Sequence, residues 1–197
     1  MDKEKAKLAL KHLIEKYNLH KNNKDFISNE NQIRRSLIEP FIRDVLGWDI
    51  EDPAEIKVEV PASGKKADII VCIDSVSQFI VEAKSLTQEI VGNYDFYKQT
   101  ISYADGKQKA FAILTNFKNF IILRCDIFVD NPLKAAVKTI NVENITDGDF
   151  DILYLFNKEF WIERGQENPI FSKYGDYKKR ANVGVRLLEN LKDWRQA

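Results

Sequence analysis

The charges that interrupt this chain's apolar runs are the residues able to do chemistry. Asp68 lies in Lys66-Ala67-Asp68-Ile69-Ile70-Val71, and Glu82 and Lys84 lie in Phe79-Ile80-Val81-Glu82-Ala83-Lys84. Desolvating an unpaired charge costs several kcal/mol, so charges set mid-strand among apolar neighbours are paired or metal-bound. Glu82 and Lys84 are two positions apart and point to one face of a strand. Asp68 joins that face when its hairpin sets it opposite Glu82 or Lys84, which a plain ladder achieves with an odd loop. An even loop sets it opposite Ala83 or Val81, on the other face. The plain alternative is a solvated sheet face with a Glu-Lys cross-strand pair worth under ~1 kcal/mol. Glu30, one turn before an apolar helical stripe, and Gln99 and Tyr103, four apart on the helix after Lys84, favour a site instead. Converging carboxylates suit a hard divalent ion, and a lysine beside it can orient and activate an attacking water.

Positioning those residues requires a sheet and at least two helices. Ala6, Leu10, Leu13, Ile14 and Tyr17 recur at helical spacing and predict a surface helix over residues 2–17. The seven lysines from Lys3 to Lys24, against Glu4 and Glu15, read as its solvated face. A second helix is predicted from Ser28-Asn29, which can cap, to Gly47, with Ile33, Leu37, Ile38, Phe41, Ile42, Val45 and Leu46 on one stripe. Pro40 within it deletes a backbone bond to Ser36 and predicts a bend or a division. Ile56, Val58 and Val60 then alternate with charges as a half-buried strand does, and Pro61-Ala62-Ser63-Gly64 reads as a turn. Residues 67–73 and 78–84 predict an antiparallel hairpin around Asp74-Ser75-Val76-Ser77. Residues 89–103 predict a helix weakened by Gly92 and Asn93, and residues 110–115 and 120–125 predict two strands around a turn at 116–119.

The resulting order, helix, three strands, helix, two strands, places the chain in the α/β (α+β) class, with a mixed central sheet flanked by helices. Residues 126–167 hold nine acidic and four basic side chains and are expected to pack on the core. Residues 182–195 set Val183, Leu187, Leu191 and Trp194 on one helical stripe, which suggests docking. Trp48 is expected to close the core behind the second helix, with Trp161 and Trp194 packing a connector. The division predicted is an N-terminal helix over 1–25, a core over 26–130 and a helical extension over 131–197.

Composition removes several function classes. Among 197 residues, Lys+Arg and Asp+Glu number 30 each, so no global basic field advertises a nucleic-acid partner and any such contact must be local. Cys72 and Cys125 lie in apolar runs and read as buried side chains, and His12 and His20 are too far from the carboxylates to argue for zinc. No G-x-G-x-x-G, G-x-x-x-x-G-K-[ST] or G-x-S-x-G motif occurs, which removes the usual support for dinucleotide, P-loop and serine-hydrolase chemistry. The charged N-terminus shows no secretory signal, apolar runs are too short for a membrane span, and the chain reads as cytoplasmic.

Asp68 followed by Glu82-Ala83-Lys84 resembles the D…E-x-K centre of the PD-(D/E)xK nucleases, and Gln99-Thr100-Ile101-Ser102-Tyr103 resembles the Q-x-x-x-Y motif of a restriction-enzyme branch. Pro40 to Asp49, Ala112-Ile113-Leu114-Thr115-Asn116-Phe117 and Phe150 to Glu159 are similar to the N-terminal nuclease region of type IIG restriction-modification enzymes. The nuclease region of type I restriction motor subunits is similar too. The resemblance covers most of residues 30–194 and is specific through the order of its motifs. Ala67 stands where many members carry proline.

That resemblance implies a restriction-endonuclease-like PD-(D/E)xK core and a Mg²⁺-dependent DNA endonuclease, with Mn²⁺ as a substitute ion. It implies Asp68, Glu82 and the Ala83 carbonyl as metal ligands, Lys84 at the attacking water, and Glu30 as a further acid and ligand. Gln99 and Tyr103 would steady the site or the DNA backbone. In-line attack of water on a phosphodiester would leave a 5′-phosphate and a 3′-hydroxyl. Double-stranded DNA is the implied partner, with Lys65, Lys66 and Lys118 as candidate phosphate contacts and a transient dimer for double-strand cleavage. In type IIG enzymes an adenine methyltransferase using S-adenosylmethionine and a target-recognition domain follow. No N-P-P-[FY] motif occurs here, so the chain reads as the N-terminal domain of a longer protein or a stand-alone relative. The competing readings are a type I subunit's nuclease domain and a catalytically silent DNA-binding or docking module of the same fold.

Overall fold

A computed structural model describes residues 2–62, 65–164 and 168–174. Helix α1 (Lys3–His20) is capped by the Asp2 side chain, which accepts from the Glu4 N–H, and buries Ala6, Leu10, Leu13 and Tyr17. The stripe expected for one long second helix is divided. Asn23 caps α2 (Lys24–Ser28), and Asn29 caps α3 (Glu30–Ile33) by accepting from the Gln32 N–H. The chain then widens into a π-turn over Arg34–Ile38 before α4 (Glu39–Asp44). That widening absorbs Pro40. The Glu39 N–H reaches back five residues to the Arg34 carbonyl, and the proline falls in the first turn of α4, where a missing N–H costs nothing. Gly47 ends the run at φ +79, a conformation that side chains disfavour.

Among the described residues, six strands form one sheet in chain order: β1 (Ile56–Ala62), β2 (Lys65–Ile73), β3 (Val76–Ala83), β4 (Phe111–Thr115), β5 (Asn119–Arg124) and β6 (Ala136–Asn141). Every neighbouring pair is antiparallel except β3 and β4, which are parallel and joined through α5 (Tyr94–Gly106). Strand β1 runs through Pro61 and Ala62, which the sequence assigns to a turn. Helix α5 starts five residues later than the sequence predicts because Asn93, expected to weaken it, is its N-cap and accepts from the Phe96 N–H.

The two faces of the sheet bury different partners. Ile69, Val71, Phe79, Val81, Ile113 and Ile122 face the stripes of α1 and α4. Ile70, Cys72, Ile80, Ala112, Leu114 and Ile121 face Tyr97, Ile101, Tyr103 and Ala104 of α5. Helices α6 (Asp147–Tyr154), α7 (Lys158–Arg164) and α8 (Pro169–Lys173) close the first layer with aromatic side chains. Phe79 stands 5.0 Å from the Phe156 ring and 5.3 Å from Trp161, and Trp48 donates to the Phe156 carbonyl at 3.0 Å. Trp48 and Trp161 thus pack as expected, as do the buried Cys72 and Cys125 thiols.

The described residues after 130 do more than pack. Strand β6 extends the sheet by pairing with β5, and α1 buries its stripe in the shared core, so the packed unit reaches beyond residues 26–130 on both sides. The predicted helix over 182–195, with Trp194, lies outside the described residues. Among those described, no helix is long and apolar enough to cross a membrane.

Candidate functional site

Asp68 reaches Glu82 by a route other than the odd loop. Asp74 and Ser75, at φ +48 and +66, make a two-residue turn, an even loop that pairs Ile73 with Val76 and Cys72 with Ser77. Left uncorrected, this register would place Asp68 opposite Val81. The next pair is Val71 with Phe79, so Gln78 is an extra residue bulged out of β3. From there Ile70 meets Ile80 and Ile69 meets Val81, and the same register sets Asp68 beside Glu82. The bulge restores the parity that the turn breaks. Asp68 Oδ2 accepts the Ala83 N–H at 2.8 Å, which ties the acid to the middle of the Glu82-Ala83-Lys84 segment.

At the end of β3 the side chains interlock. Lys84 Nζ donates to Glu82 Oε1 at 2.6 Å, and the two residues are only 7% and 1% exposed. The Gln99 amide of α5 donates to the same oxygen at 3.2 Å and to the Tyr103 hydroxyl at 2.7 Å, so the four-residue spacing on the helix puts both on the site. Glu82 Oε2 is buried without a hydrogen-bond partner. Burial, and then the Asp68 charge, push the Glu82 carboxyl up to about 7, with Lys84 and, more weakly, the Asp68 main-chain N–H opposing. Burial alone would lower Lys84; Glu82, Asp68 and Glu30 outweigh it and hold the ammonium above its ordinary value.

Glu30, the first residue of α3, is half-buried. Burial raises its carboxyl, the Lys84 charge opposes, Asp68 reinforces and Arg34 opposes. Four sequence-predicted residues, Asp68, Glu82, Lys84 and Gln99, are therefore in direct contact or one bond apart, Tyr103 joins through Gln99, and Glu30 acts through its charge.

A cation would find an incomplete carboxylate here. Oε2 of Glu82 has no hydrogen-bond partner and the Asp68 charge acts on the same carboxylate, and hard-oxygen donors are what Mg²⁺ takes, often with only one or two carboxylates and retained waters. The donor set fits. Among the described residues no three His, Cys, Asp or Glu side chains gather as a metal-binding group, so Glu30 does not complete a three-carboxylate cage with Asp68 and Glu82.

The structure adds residues that spacing alone does not reveal. The Lys84 N–H donates to the Thr115 carbonyl at 2.9 Å, and Asn116 donates to the Gln88 carbonyl at 3.1 Å while accepting from the Asn119 N–H. The Leu114-Thr115-Asn116 segment thus buttresses the strand end and loop that carry Lys84. Arg34, buried one turn after Glu30, lies 3.3 Å from Glu39 and 3.8 Å from Glu59; its i,i+4 spacing from Glu30 is the only signal the sequence offers. Lys118 is half-buried with its ammonium 3.7 Å from Glu143, on the α1 side of the sheet. Lys65 and Lys66 open β2, and their side chains lie outside those described.

Comparison with protein-family models, with curated proteins and with solved structures finds no match to this chain.

Proposed function

We propose that this chain is a divalent-cation-dependent DNA endonuclease domain of the PD-(D/E)xK kind, in the setting of a type IIG restriction-modification enzyme. The observation that carries the reading is the buried Glu82 carboxylate, with Oε1 held by Lys84 and Gln99, Oε2 without a hydrogen-bond partner, and the Asp68 carboxylate near enough to act on it through its charge. Buried side-chain oxygens are hydrogen-bonded in the large majority of cases, so a buried carboxylate oxygen with no donor asks for a partner. Mg²⁺ bound to Asp68, Glu82 and the Ala83 carbonyl would supply Lewis-acid polarisation of a phosphate and a more acidic water.

The chain's own residues divide the remaining tasks. Glu82, Asp68 and Glu30 hold the Lys84 ammonium above its ordinary value, which suits it to act as a donor that orients water and offsets phosphate charge. Glu30, with a carboxyl raised by burial and coupled by charge to Lys84 and Asp68, is the candidate to take a proton from the incoming water. Gln99 holds the Glu82 carboxylate in orientation, and Tyr103 accepts from Gln99 and fixes the amide. Neutral overall charge is compatible with this role when most of the grip on DNA comes from companion domains that read sequence.

Calorimetric titration with Mg²⁺ and Mn²⁺, beside nicking of supercoiled DNA, tests the proposal on the wild type, Asp68→Ala and Glu82→Ala. The expected result is binding and nicking in the wild type and neither in the variants. A wild type that binds no divalent cation, with or without DNA, overturns it.

A further inference from the structure

The donors around Glu82 are unevenly spread. Lys84 and Gln99 both bond to Oε1, while Oε2, equally buried, has none. The Lys84 ammonium is surrounded by acid: Glu82, Asp68 and Glu30 all act on it. Three carboxyl groups thus act on the one ammonium, with Arg34 as a further cation on Glu30, so the immediate surroundings of Lys84 are richer in acid than in base. The lysine is fixed at its root by the main-chain bond to Thr115 and lies with its ammonium 5.5 Å from the Phe96 ring centroid. Only the end of its flexible four-carbon stem is free to move.

We infer that Lys84 is the resident counter-ion of this site: its ammonium holds Glu82 Oε1 in the absence of a cation, and it would give up that hold and turn to a phosphate when a divalent cation supplied the positive charge that the Glu82 carboxylate requires. The inference rests on the cation-binding reading above and adds an order of events to it. Two positive charges on the two oxygens of one carboxylate repel strongly in a site this buried, so the incoming cation and Lys84 compete for the same negative charge. Competition lowers cation affinity in the free protein. It also keeps the lysine from settling on a phosphate before the cation is in place, which couples cation arrival to readiness of the donor. Gln99, uncharged, stays on Oε1 in both states and keeps the carboxylate from rotating.

Side-chain ¹⁵N NMR of lysine-labelled wild type, with Mg²⁺ added stepwise, observes the ammonium directly, and calorimetry with Mn²⁺ compares wild type with Lys84→Met. The expected results are a slowly exchanging Lys84 ammonium signal that shifts or vanishes as Mg²⁺ binds, and Mn²⁺ binding roughly tenfold or more tighter in Lys84→Met. An Lys84→Met protein that folds and binds Mn²⁺ no tighter than wild type overturns the inference. Should that variant fail to fold, a Lys84 signal unchanged while the wild type demonstrably binds Mg²⁺ overturns it equally. Either of those results leaves the nuclease reading standing, whereas absence of cation binding in both proteins removes the two together.

Discussion

Glu82 and Glu143 each gather a lysine and a tyrosine, and they come out as opposites. Glu143 Oε1 accepts from the Tyr17 hydroxyl at 3.0 Å and from Lys21 at 3.1 Å, with Lys118 3.7 Å from Oε2. Its side chain is 37% exposed, and the Lys21 hydrogen bond above all holds its carboxyl below the ordinary glutamate value. Glu82 has its lysine and its Gln99-linked tyrosine on one side only, is 1% exposed and is pushed up to about 7. Residue types alone do not separate the two. Burial, a second carboxylate and an oxygen left bare do. The Glu143 cluster fastens α1 to the stretch after β6 and engages both carboxylate oxygens, whereas the Glu82 cluster leaves one buried carboxylate oxygen without a hydrogen-bond partner, which is the ground of the cation proposal.

The largest expected effect separates the clusters by ligand binding. Glu82→Ala should weaken Mn²⁺ binding by about 100-fold or more, because a first ligand is lost where even outer-shell changes cost 10–100-fold. Glu143→Ala should leave Mn²⁺ affinity within about twofold, as expected for a distant, uncoupled site. Calorimetry on the two variants reads both. Equal losses would mean that the cation sits elsewhere and the contrast is mistaken.

The pH dependence should also run in opposite directions. Glu82 is raised, so below pH 7 a proton competes with the cation, and each unit of pH lost there should weaken binding by up to about tenfold. Without a cation, the same raised value gives stability that is present below the ordinary glutamate value and fades as pH rises through 7. Glu143 is lowered, so its contribution is present above the ordinary value and fades as pH falls through its own. Cation titrations at pH 6, 7 and 8 test the first. Urea unfolding from pH 4 to 8 tests the second, with Glu143→Gln expected to remove part of the acid-side decline and none of the loss toward pH 7.

Much of the Glu82 cluster is legible in sequence because it is local. Alternation puts Glu82 and Lys84 on one face, and helical spacing puts Gln99 and Tyr103 on one stripe. The hairpin then brings Asp68 in, but by a turn and bulge that no residue announces: Gln78 looks like any polar strand residue until its neighbours pair around it. The π-turn before Pro40 is similarly silent, since it is a slip in hydrogen bonding and not in composition. Strand β6 is missed because Ala136–Asn141 is a half-exposed edge strand with a single fully buried side chain, Ile140, inside an acid-rich stretch. The Glu143 cluster depends on that strand's exit and on a partner 126 residues earlier, so nothing local foretells it.

Smaller changes probe how each cluster spends its hydrogen bonds. Tyr17→Phe removes a donor to a charged carboxylate and should cost about 1 kcal/mol in urea unfolding, with the slope unchanged and cation affinity untouched. Tyr103→Phe removes an acceptor that fixes the Gln99 amide and should cost about as much stability while also weakening Mn²⁺ binding a few-fold, since the amide that orients Glu82 loses its anchor. A Tyr103→Phe protein with wild-type cation affinity would make Tyr103 a packing residue and bring the two tyrosines level.

Lys21→Met should give the smallest effect, under ~1 kcal/mol in urea unfolding and less as salt is raised. Lys21 meets Glu143 at the surface with both side chains 37% exposed, so water already solvates each charge and the pair gains little by meeting. Glu143 would keep the Tyr17 hydroxyl and the nearby Lys118 charge. Lys84 has no such substitute: removing it leaves a buried carboxylate with one amide donor and a bare oxygen, a loss that added monovalent salt screens only weakly because the pair is buried. Salt titration of the two lysine variants therefore measures the contrast directly, and a Lys84→Met destabilisation that salt screens away as it does for Lys21→Met would show that the Glu82 cluster is open to solvent after all.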